Sequence, residues 1–134
     1  MATVRTEKLP LQTSEDVVRV RQQVRSWAVE LGFSLVDQTK IVTAASELAR
    51  NTLVHGGGGT CELEHIQLDH RRGLRLTFVD QGPGITDVEQ ALKDGFTTGN
   101  GLGLGLGGAR RLSNEFEIRS QPGAGTLVQI VRWK

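Results

Sequence analysis

The chain has 134 residues, of which 37% are hydrophobic and 23% charged, and its formal net charge is +1. This composition is typical of a soluble globular protein and excludes an intrinsically disordered one, and the near-neutral charge gives no indication of nucleic-acid or membrane-surface binding. Residues 1–10 contain no apolar run that would make a signal peptide, and no stretch approaches the roughly 20 apolar residues that span a bilayer. We therefore expect a single domain over residues 1–134, located in the cytoplasm.

The first part of the chain predicts an edge strand followed by two helices. Residues 3–9 read as a short strand. Ser14 is the expected N-cap of the first helix, whose apolar residues recur at three- and four-residue steps until Gly32 stops it. Ser34 is the expected N-cap of a second amphipathic helix, which runs from about Val36 to Val54.

The rest of the chain predicts two pairs of strands separated by glycine-rich and helical segments. The hairpin-length connections favour antiparallel pairing, and the helices would cover one face of the sheet. We therefore expect an α+β fold, a two-layer sandwich with a mostly antiparallel mixed sheet. The predicted elements are strands over 60–69 and 73–79 joined by a turn at 70–73, a tight turn at 80–85, a short helix over 87–93, a mobile glycine loop over 95–108, a helix from about Gly105 to Leu112, and closing strands over 115–120 and 126–133.

The functional prediction depends on three sequence motifs. These are ELARN at 47–51, DQGPGI at 80–85 and GNGLGLGLGG at 99–108. Each is modest alone. In this order and spacing they resemble the GHKL superfamily of ATP-binding domains, whose members share the Bergerat fold. The likeness covers nearly the whole chain. It is closest to the anti-sigma-factor serine/threonine kinases (RsbT, RsbW and SpoIIAB), and among these to the RsbT branch.

Glu47 and Asn51 lie four residues apart on the second predicted helix and therefore share one face. In isolation such a pair is most simply a solvated polar face. The resemblance implies instead that the amide oxygen of Asn51 binds Mg²⁺, a hard cation that prefers oxygen ligands and is often held by few protein groups together with phosphates. It also implies that Glu47 is the catalytic base, which receives a proton from the attacking hydroxyl.

Asp80 follows a predicted strand and precedes two glycines, a pattern that is common in Asx turns. The resemblance implies that its carboxylate recognises adenine, since a carboxylate only accepts hydrogen bonds and the exocyclic amine of adenine donates them. The same resemblance makes Gly82, Gly84 and Ile85 nucleotide contacts, with the glycines allowing the backbone to approach the base. Thr126 resembles the family's last nucleotide contact, although an ordinary β-strand threonine is an equally good interpretation.

The glycine segment at 99–108 lines up with the family's lid over the phosphates, and the resemblance places that lid at Gly99, Gly101, Leu102 and Gly103. A flexible solvent loop is the simpler alternative. The run GLGLGG at 103–108 also matches a dinucleotide-binding pattern, but no strand directly precedes it. No Lys-Ser/Thr pair follows the glycines, which excludes a P-loop.

Two departures from the family pattern concern this lid. SpoIIAB-like kinases have an arginine where this chain has Gly99, and the resemblance assigns that arginine to the terminal phosphate or the partner. Residues that could replace it are Arg50, Lys93, Arg110 and Arg111. The additional glycines predict a looser lid before ATP binds, and they are Gly105, Gly107 and Gly108.

The leading hypothesis is a protein serine/threonine kinase that uses ATP and Mg²⁺ to phosphorylate a STAS-domain antagonist protein, in a partner-switching pathway that controls a sigma factor or a PP2C-type phosphatase. The alternative is a nucleotide-gated binding switch, an anti-sigma factor or phosphatase activator with little or no kinase activity. A free-standing ATPase, in which Glu47 activates water, is disfavoured because the chain has room only for the nucleotide module. We expect no nucleic-acid or membrane partner, and the oligomeric state stays open.

Overall fold

The computed structural model describes residues 1–93 and 105–134, which form one five-stranded sheet and four helices. In chain order the elements are β1 (Ala2–Leu11), α1 (Ser14–Glu30), α2 (Leu35–Val54), β2 (Gly59–Leu68), β3 (Arg71–Asp80), α3 (Val88–Ala91), α4 (Gly105–Arg111), β4 (Glu115–Ser120) and β5 (Thr126–Trp133). None of the helices in these two ranges has the length and apolar character needed to cross a membrane.

The strands are arranged in the order β1-β2-β3-β5-β4, and each neighbouring pair is antiparallel. The predicted α+β fold is confirmed, and no parallel pair of a mixed sheet occurs between the strands described. β1 lies at an edge of the sheet, as expected, but extends beyond the predicted residues 3–9. Its Pro10 is tolerated there, because an edge strand has one side on which a missing N–H breaks no ladder.

The helices cover one face of the sheet and bury its alternate side chains. In β3, Leu74 and Leu76 are fully buried and Phe78 is 1% exposed. These residues share one core with Trp27 of α1 and Leu48 of α2. Every second side chain of β3 therefore packs against the apolar stripes of the helices, and this packing gives the two-layer sandwich.

Thr13 caps α1, so the prediction of Ser14 as the N-cap is wrong. The Thr13 hydroxyl accepts the backbone N–H of Asp16 at 3.2 Å, and the Asp16 carboxylate accepts the backbone N–H of Thr13 at 3.2 Å. This reciprocal capping box satisfies backbone donors that the helix itself leaves unpaired. The carboxylate also accepts the N–H of Gln12 at 2.8 Å, and this bond lowers the pKa of Asp16.

α2 begins where the sequence predicts, because the Ser34 hydroxyl accepts the N–H of Asp37 at 3.1 Å. At the other end of the helix, the Asn51 carbonyl accepts the N–H of His55 at 2.9 Å and that of Gly56 at 3.2 Å. Asn51 thus lies in the last turn of α2, and the glycine segment that leads into β2 begins five positions later, at Gly56.

The hairpin between β2 and β3 differs from the predicted turn at 70–73. Leu68 pairs with Arg71, so the turn consists of the two residues between them. Asp69 has φ +55, a conformation that Asp adopts more readily than most residues. Gly73 lies within β3, where an added Cβ would stand 2.7 Å from the Trp133 ring. Close packing, and not a turn, explains this glycine.

α3 is shorter than the predicted helix over 87–93. It follows Asp87, whose Oδ1 accepts the N–H of Gln90 at 3.0 Å, and it ends at Ala91, with Leu92 as its C-cap. α4 begins at Gly105, as predicted, and its residues 105–109 are buried.

Gly107 of α4 packs against the backbone of residue 92. A Cβ on Gly107 would overlap the Leu92 carbonyl oxygen, so this glycine permits close packing. The prediction of a mobile loop is therefore wrong for residues 105–108, and with it the assignment of Gly105, Gly107 and Gly108 to a loose lid. Residues 95–104 of that predicted loop lie outside the described residues.

Arg132 of β5 forms hydrogen bonds that connect the sheet to the start of α2 and to the residue after α4. Its guanidinium donates to Asp37 Oδ1 near the start of α2 and to the Leu112 carbonyl after α4, both at 2.8 Å. The hydrogen bond from Arg132 lowers the pKa of Asp37. The position of α2 and α4 relative to the sheet therefore depends in part on a strand that follows both in the chain.

Candidate functional site

A cavity of about 440 Å³ opens between α2, the ends of β3 and β5, the segment from 83 to 91, and the start of α4. Such a volume suits a small organic ligand. The residues that line it are Leu48, Asn51, Thr52, His55, Gly56, Phe78, Asp80, Pro83, Gly84, Ile85, Thr86, Asp87, Gln90, Ala91, Gly105, Leu106, Thr126 and Val128.

Asp80 occupies the floor of the cavity as the last residue of β3, with 9% of its surface exposed. Its Oδ1 accepts the backbone N–H of Gly82 at 2.9 Å. Its Oδ2 makes no hydrogen bond to a residue in either described range. One carboxylate oxygen therefore fixes the turn, and the other is available to a donor on a ligand.

Three glycines surround Asp80 so closely that none could carry a side chain. An added Cβ on Gly56 would overlap the Asp80 carboxylate, and one on Gly125 would overlap the Asp80 carbonyl oxygen. A Cβ on Gly82 would stand 2.6 Å from the Gly56 carbonyl oxygen. Gly56 thus lets the end of α2 approach the Asp80 carboxylate, while Gly125 and Gly82 allow close backbone contacts with Asp80 and Gly56.

The segment after Asp80 is fixed by the turn between β4 and β5. Gly84 has φ +78, and a Cβ there would overlap the Gln121 carbonyl oxygen. The N–H of Ile85 donates to Ser120 Oγ at 2.8 Å. This hydrogen bond and the close approach at Gly84 hold the side of the cavity in place.

Thr126 lies opposite Asp80, because the two are register partners on β5 and β3. Its Oγ1 is 2.8 Å from Ser120 Oγ. The cavity floor therefore presents a carboxylate and a hydroxyl side by side. Apolar side chains form much of the remaining wall, and they are Leu48, Phe78, Ile85, Ala91, Leu106 and Val128.

α2 contributes Asn51 to the cavity and holds Glu47 one turn earlier. Asn51 is half-buried, and its side-chain amide makes no hydrogen bond to any residue that the structure describes. Glu47 is 5% exposed, and in the same residues its carboxylate has neither a hydrogen-bond donor nor a cation partner. Within the described residues, the oxygens of both side chains therefore have no partner, which is unusual for a buried carboxylate such as Glu47.

The residues present fit a magnesium ion held mainly by a nucleotide. Among residues 1–93 and 105–134, no three His, Cys, Asp or Glu side chains form a group that could hold a metal by themselves. The amide oxygen of Asn51, which has no hydrogen-bond partner among the described residues, would supply one hard ligand at the cavity. Mg²⁺ commonly takes one or two protein oxygens and completes its shell with phosphates and water.

The structure brings five of the predicted site residues into one cavity, and they are Asn51, Asp80, Gly84, Ile85 and Thr126. Glu47 and Gly82 do not line it, although Gly82 positions Asp80 and Glu47 lies one helical turn from Asn51. Gly99, Gly101, Leu102 and Gly103 lie outside the described residues. The roles assigned to all these residues stay predictions.

Sequence reasoning missed several lining residues. His55 follows Asn51 by four positions, so helical spacing could have placed it on the same face. Thr52 is the next residue in the chain, and helical spacing gives no such signal for it. Gly56 and Gln90 had no comparable local signal. None of the cations considered as replacements for the lid arginine lines the cavity, and these were Arg50, Lys93, Arg110 and Arg111.

Comparison with known proteins places the chain in a family of ATPase domains. The family model described as the histidine kinase-like ATPase domain matches residues 11–132. The chain is similar to the serine/threonine-protein kinase RsbT of Bacillus subtilis strain 168, with 45% identity over 92% of each chain. It is also similar to the anti-sigma F factor of Caldanaerobacter subterraneus subsp. tengcongensis, with 30% identity over 92% of this chain and 89% of the relative.

The fold recurs in solved structures. A Mycobacterium tuberculosis protein, whose structure comprises RsbU and RsbW domains, superposes with a TM-score of 0.65 and 22% identity, covering 98% of this chain and 33% of the other. At this identity the likeness concerns the fold alone.

Proposed function

Because the chain belongs to the family of histidine kinase-like ATPase domains, we propose that it is a serine/threonine-protein kinase that binds ATP and Mg²⁺. The observation that carries the proposal is the shared cavity of Asp80 and Asn51, with the buried Glu47 carboxylate one helical turn from Asn51. The 45% identity to a protein named as a serine/threonine kinase supports the same activity.

Adenine binds at the cavity floor. The apolar walls contact the faces of the base, and the free Oδ2 of Asp80 accepts a hydrogen bond from its exocyclic amine. A hydrogen bond to a charged group contributes roughly 1.5–3 kcal/mol. Guanine has a carbonyl oxygen at the corresponding position and would face Asp80 acceptor to acceptor, so the site favours ATP over GTP.

The phosphates extend from the base toward Asn51, whose amide oxygen would hold Mg²⁺. When bound, the ion would neutralise part of the negative charge on the phosphate oxygens. Glu47 accepts the proton of the attacking serine or threonine hydroxyl. As that oxygen forms its bond to the γ-phosphorus, the bond from phosphorus to the β–γ bridging oxygen breaks and ADP leaves. A positioned base contributes about 10²–10⁴ in rate.

The protein substrate is a STAS-domain antagonist in a partner-switching pathway, in which the kinase controls a sigma factor or a PP2C-type phosphatase in the cytoplasm. A second candidate function is a nucleotide-gated binding switch with little or no transfer. The 30% identity to a protein named as an anti-sigma factor favours this alternative. No nucleic-acid or membrane partner is proposed.

Labelled ATP distinguishes the two functions. Purified protein is incubated with γ-labelled ATP, Mg²⁺ and each STAS-domain protein from its own cell, and phosphorylated residues are located by mass spectrometry. Label on a serine or threonine of one partner, absent with Glu47→Gln, supports the kinase. Nucleotide-dependent partner capture without label transfer supports the switch. A failure to bind ATP would exclude both.

A further inference from the structure

Ser120, the last residue of β4, connects three segments around the base-binding floor without lining the cavity itself. Its Oγ accepts the N–H of Ile85 at 2.8 Å. The same oxygen lies 3.1 Å from the Gly125 carbonyl and 2.8 Å from Thr126 Oγ1. Ile85 and Thr126 both line the cavity. Ser120 holds Ile85 by its backbone N–H, whereas it meets the side-chain hydroxyl of Thr126, so Thr126 is the polar side chain through which Ser120 can act on a ligand.

The number of protons decides how Thr126 can hydrogen-bond. A hydroxyl has one proton to donate and two lone pairs to accept with. Either hydroxyl of the Ser120–Thr126 pair could donate to the other, but the Gly125 carbonyl can only accept. The arrangement that satisfies both contacts therefore directs the single proton of Ser120 to Gly125. The lone pairs of Ser120 then accept the N–H of Ile85 and the hydroxyl proton of Thr126. With its proton directed to Ser120, Thr126 has only lone pairs left for the cavity.

We propose that Ser120 is a positioning residue for purine selection, which holds the Thr126 hydroxyl as a hydrogen-bond acceptor toward the 6-amino group of the base. This inference rests on the proposed function, because it assumes that adenine occupies the cavity floor. The amine has two protons. Asp80 Oδ2 accepts one, and Thr126 accepts the other, directly or through one water.

The test compares ATP with purine riboside 5′-triphosphate, which differs from ATP only in lacking the 6-amino group. Calorimetry of the purified full chain gives the ratio of the two dissociation constants. In Ser120→Ala the Thr126 proton loses its partner and the hydroxyl turns freely. We expect the preference for ATP to fall about three- to tenfold. Ser120→Thr keeps a hydroxyl and restores the preference.

Three further variants separate positioning from loss of structure. Thr126→Val removes the hydroxyl and keeps the shape, so it should lower the ratio as Ser120→Ala does. The double variant should show no additional loss. Ser113→Ala removes a hydroxyl that donates to the Ala109 carbonyl, away from the cavity, and should leave the ratio unchanged.

An unchanged ratio in Ser120→Ala, or a weakening of both nucleotides by the same factor, would overturn the proposal and leave ATP binding intact. Independent losses that add in the double variant would overturn it as well. If the parent protein binds neither nucleotide, the proposed function itself fails, which is a distinguishable outcome.

Discussion

Gly56 and Asp80 pack so closely that any side chain at position 56 would overlap the Asp80 carboxylate. The two residues belong to different elements, since Gly56 follows α2 and Asp80 ends β3. The glycine therefore fixes how near the last turn of the helix comes to the floor of the cavity.

Gly56→Ala tests this contact. The methyl group displaces the carboxylate, so we expect the affinity for ATP to fall at least tenfold by calorimetry, because the hydrogen bond to the base depends on the position of Asp80. Gly57→Asn is the matched control. Position 57 has open space and φ +76, which Asn tolerates. An equal loss in both variants would show that the loop, and not the carboxylate, is responsible.

Asp80→Asn replaces one carboxylate oxygen with an NH₂ group and keeps the size of the side chain. The remaining oxygen can still accept the N–H of Gly82, which turns the new NH₂ group toward the amine of adenine. Two donors then face each other. We expect about tenfold weaker ATP binding, measured by calorimetry. Unchanged affinity would remove Asp80 from adenine recognition.

Glu47→Gln removes the proposed base and keeps the volume of a side chain that is 5% exposed. Single-turnover transfer of labelled phosphate should fall by about 10²–10⁴, while ATP affinity stays near that of the parent. Glu47→Ala should lose transfer to the same extent. Glu15→Gln, at an exposed position in the first turn of α1, provides the control. Transfer at the parent rate by Glu47→Gln would contradict the assignment.

Asn51→Ala tests the proposed metal ligand through metal dependence. In the parent, removing Mg²⁺ with EDTA should weaken ATP binding, because the cation links the phosphates to the protein. In Asn51→Ala most of that difference should disappear. Asp80→Asn serves as the contrast, since it should weaken binding by the same factor with and without Mg²⁺. A full Mg²⁺ effect in Asn51→Ala would place the cation elsewhere.

Glu64 on β2 predicts how stability depends on pH. Arg75 donates to its two oxygens at 2.8 and 2.9 Å, and this hydrogen bonding lowers the pKa of Glu64 below its ordinary value of 4.5. The stability from the pair is therefore present above about pH 4.5 and is lost as the pH falls through the lower pKa of the folded state.

Glu64→Gln should remove this part of the pH dependence and destabilise the fold at pH 7 by about 1–3 kcal/mol, since it weakens charge-assisted hydrogen bonds. Urea unfolding between pH 3 and 7 measures both effects. Glu117→Gln is the control, because Glu117 and Arg119 form an exposed pair of little expected value. Parallel pH profiles for the parent and Glu64→Gln would contradict the prediction.

Local patterns predicted much of this fold. The apolar spacing and the cap at Ser34 located α2, and the alternation in β3 identified a half-buried strand. Prediction from the sequence failed where the role of a residue depends on a contact with a residue far away in the chain. Gly73 looks like a turn residue but makes room for Trp133, sixty positions later. Ser14 and Thr13 are equally good caps locally, and the reciprocal bonds with Asp16 decide between them.

The residues of the candidate site also divide into those that local patterns predicted and those that they missed. Asn51, Asp80 and Thr126 were found because each belongs to a short motif. Gly56 and Ser120 were missed, because their importance comes from contacts with Asp80 and Thr126 that exist only after the sheet has formed. No local pattern indicates such contacts.

The sheet order has a consequence for synthesis on the ribosome. β5 lies between β3 and β4, yet it emerges after both. Until then β4 has no described partner strand, Asp80 lacks its neighbour Thr126, and Arg132 cannot join α2 to the end of α4. A nascent chain that stops before β5 should therefore be unable to retain nucleotide, so the protein becomes competent only once its last described strand has been translated.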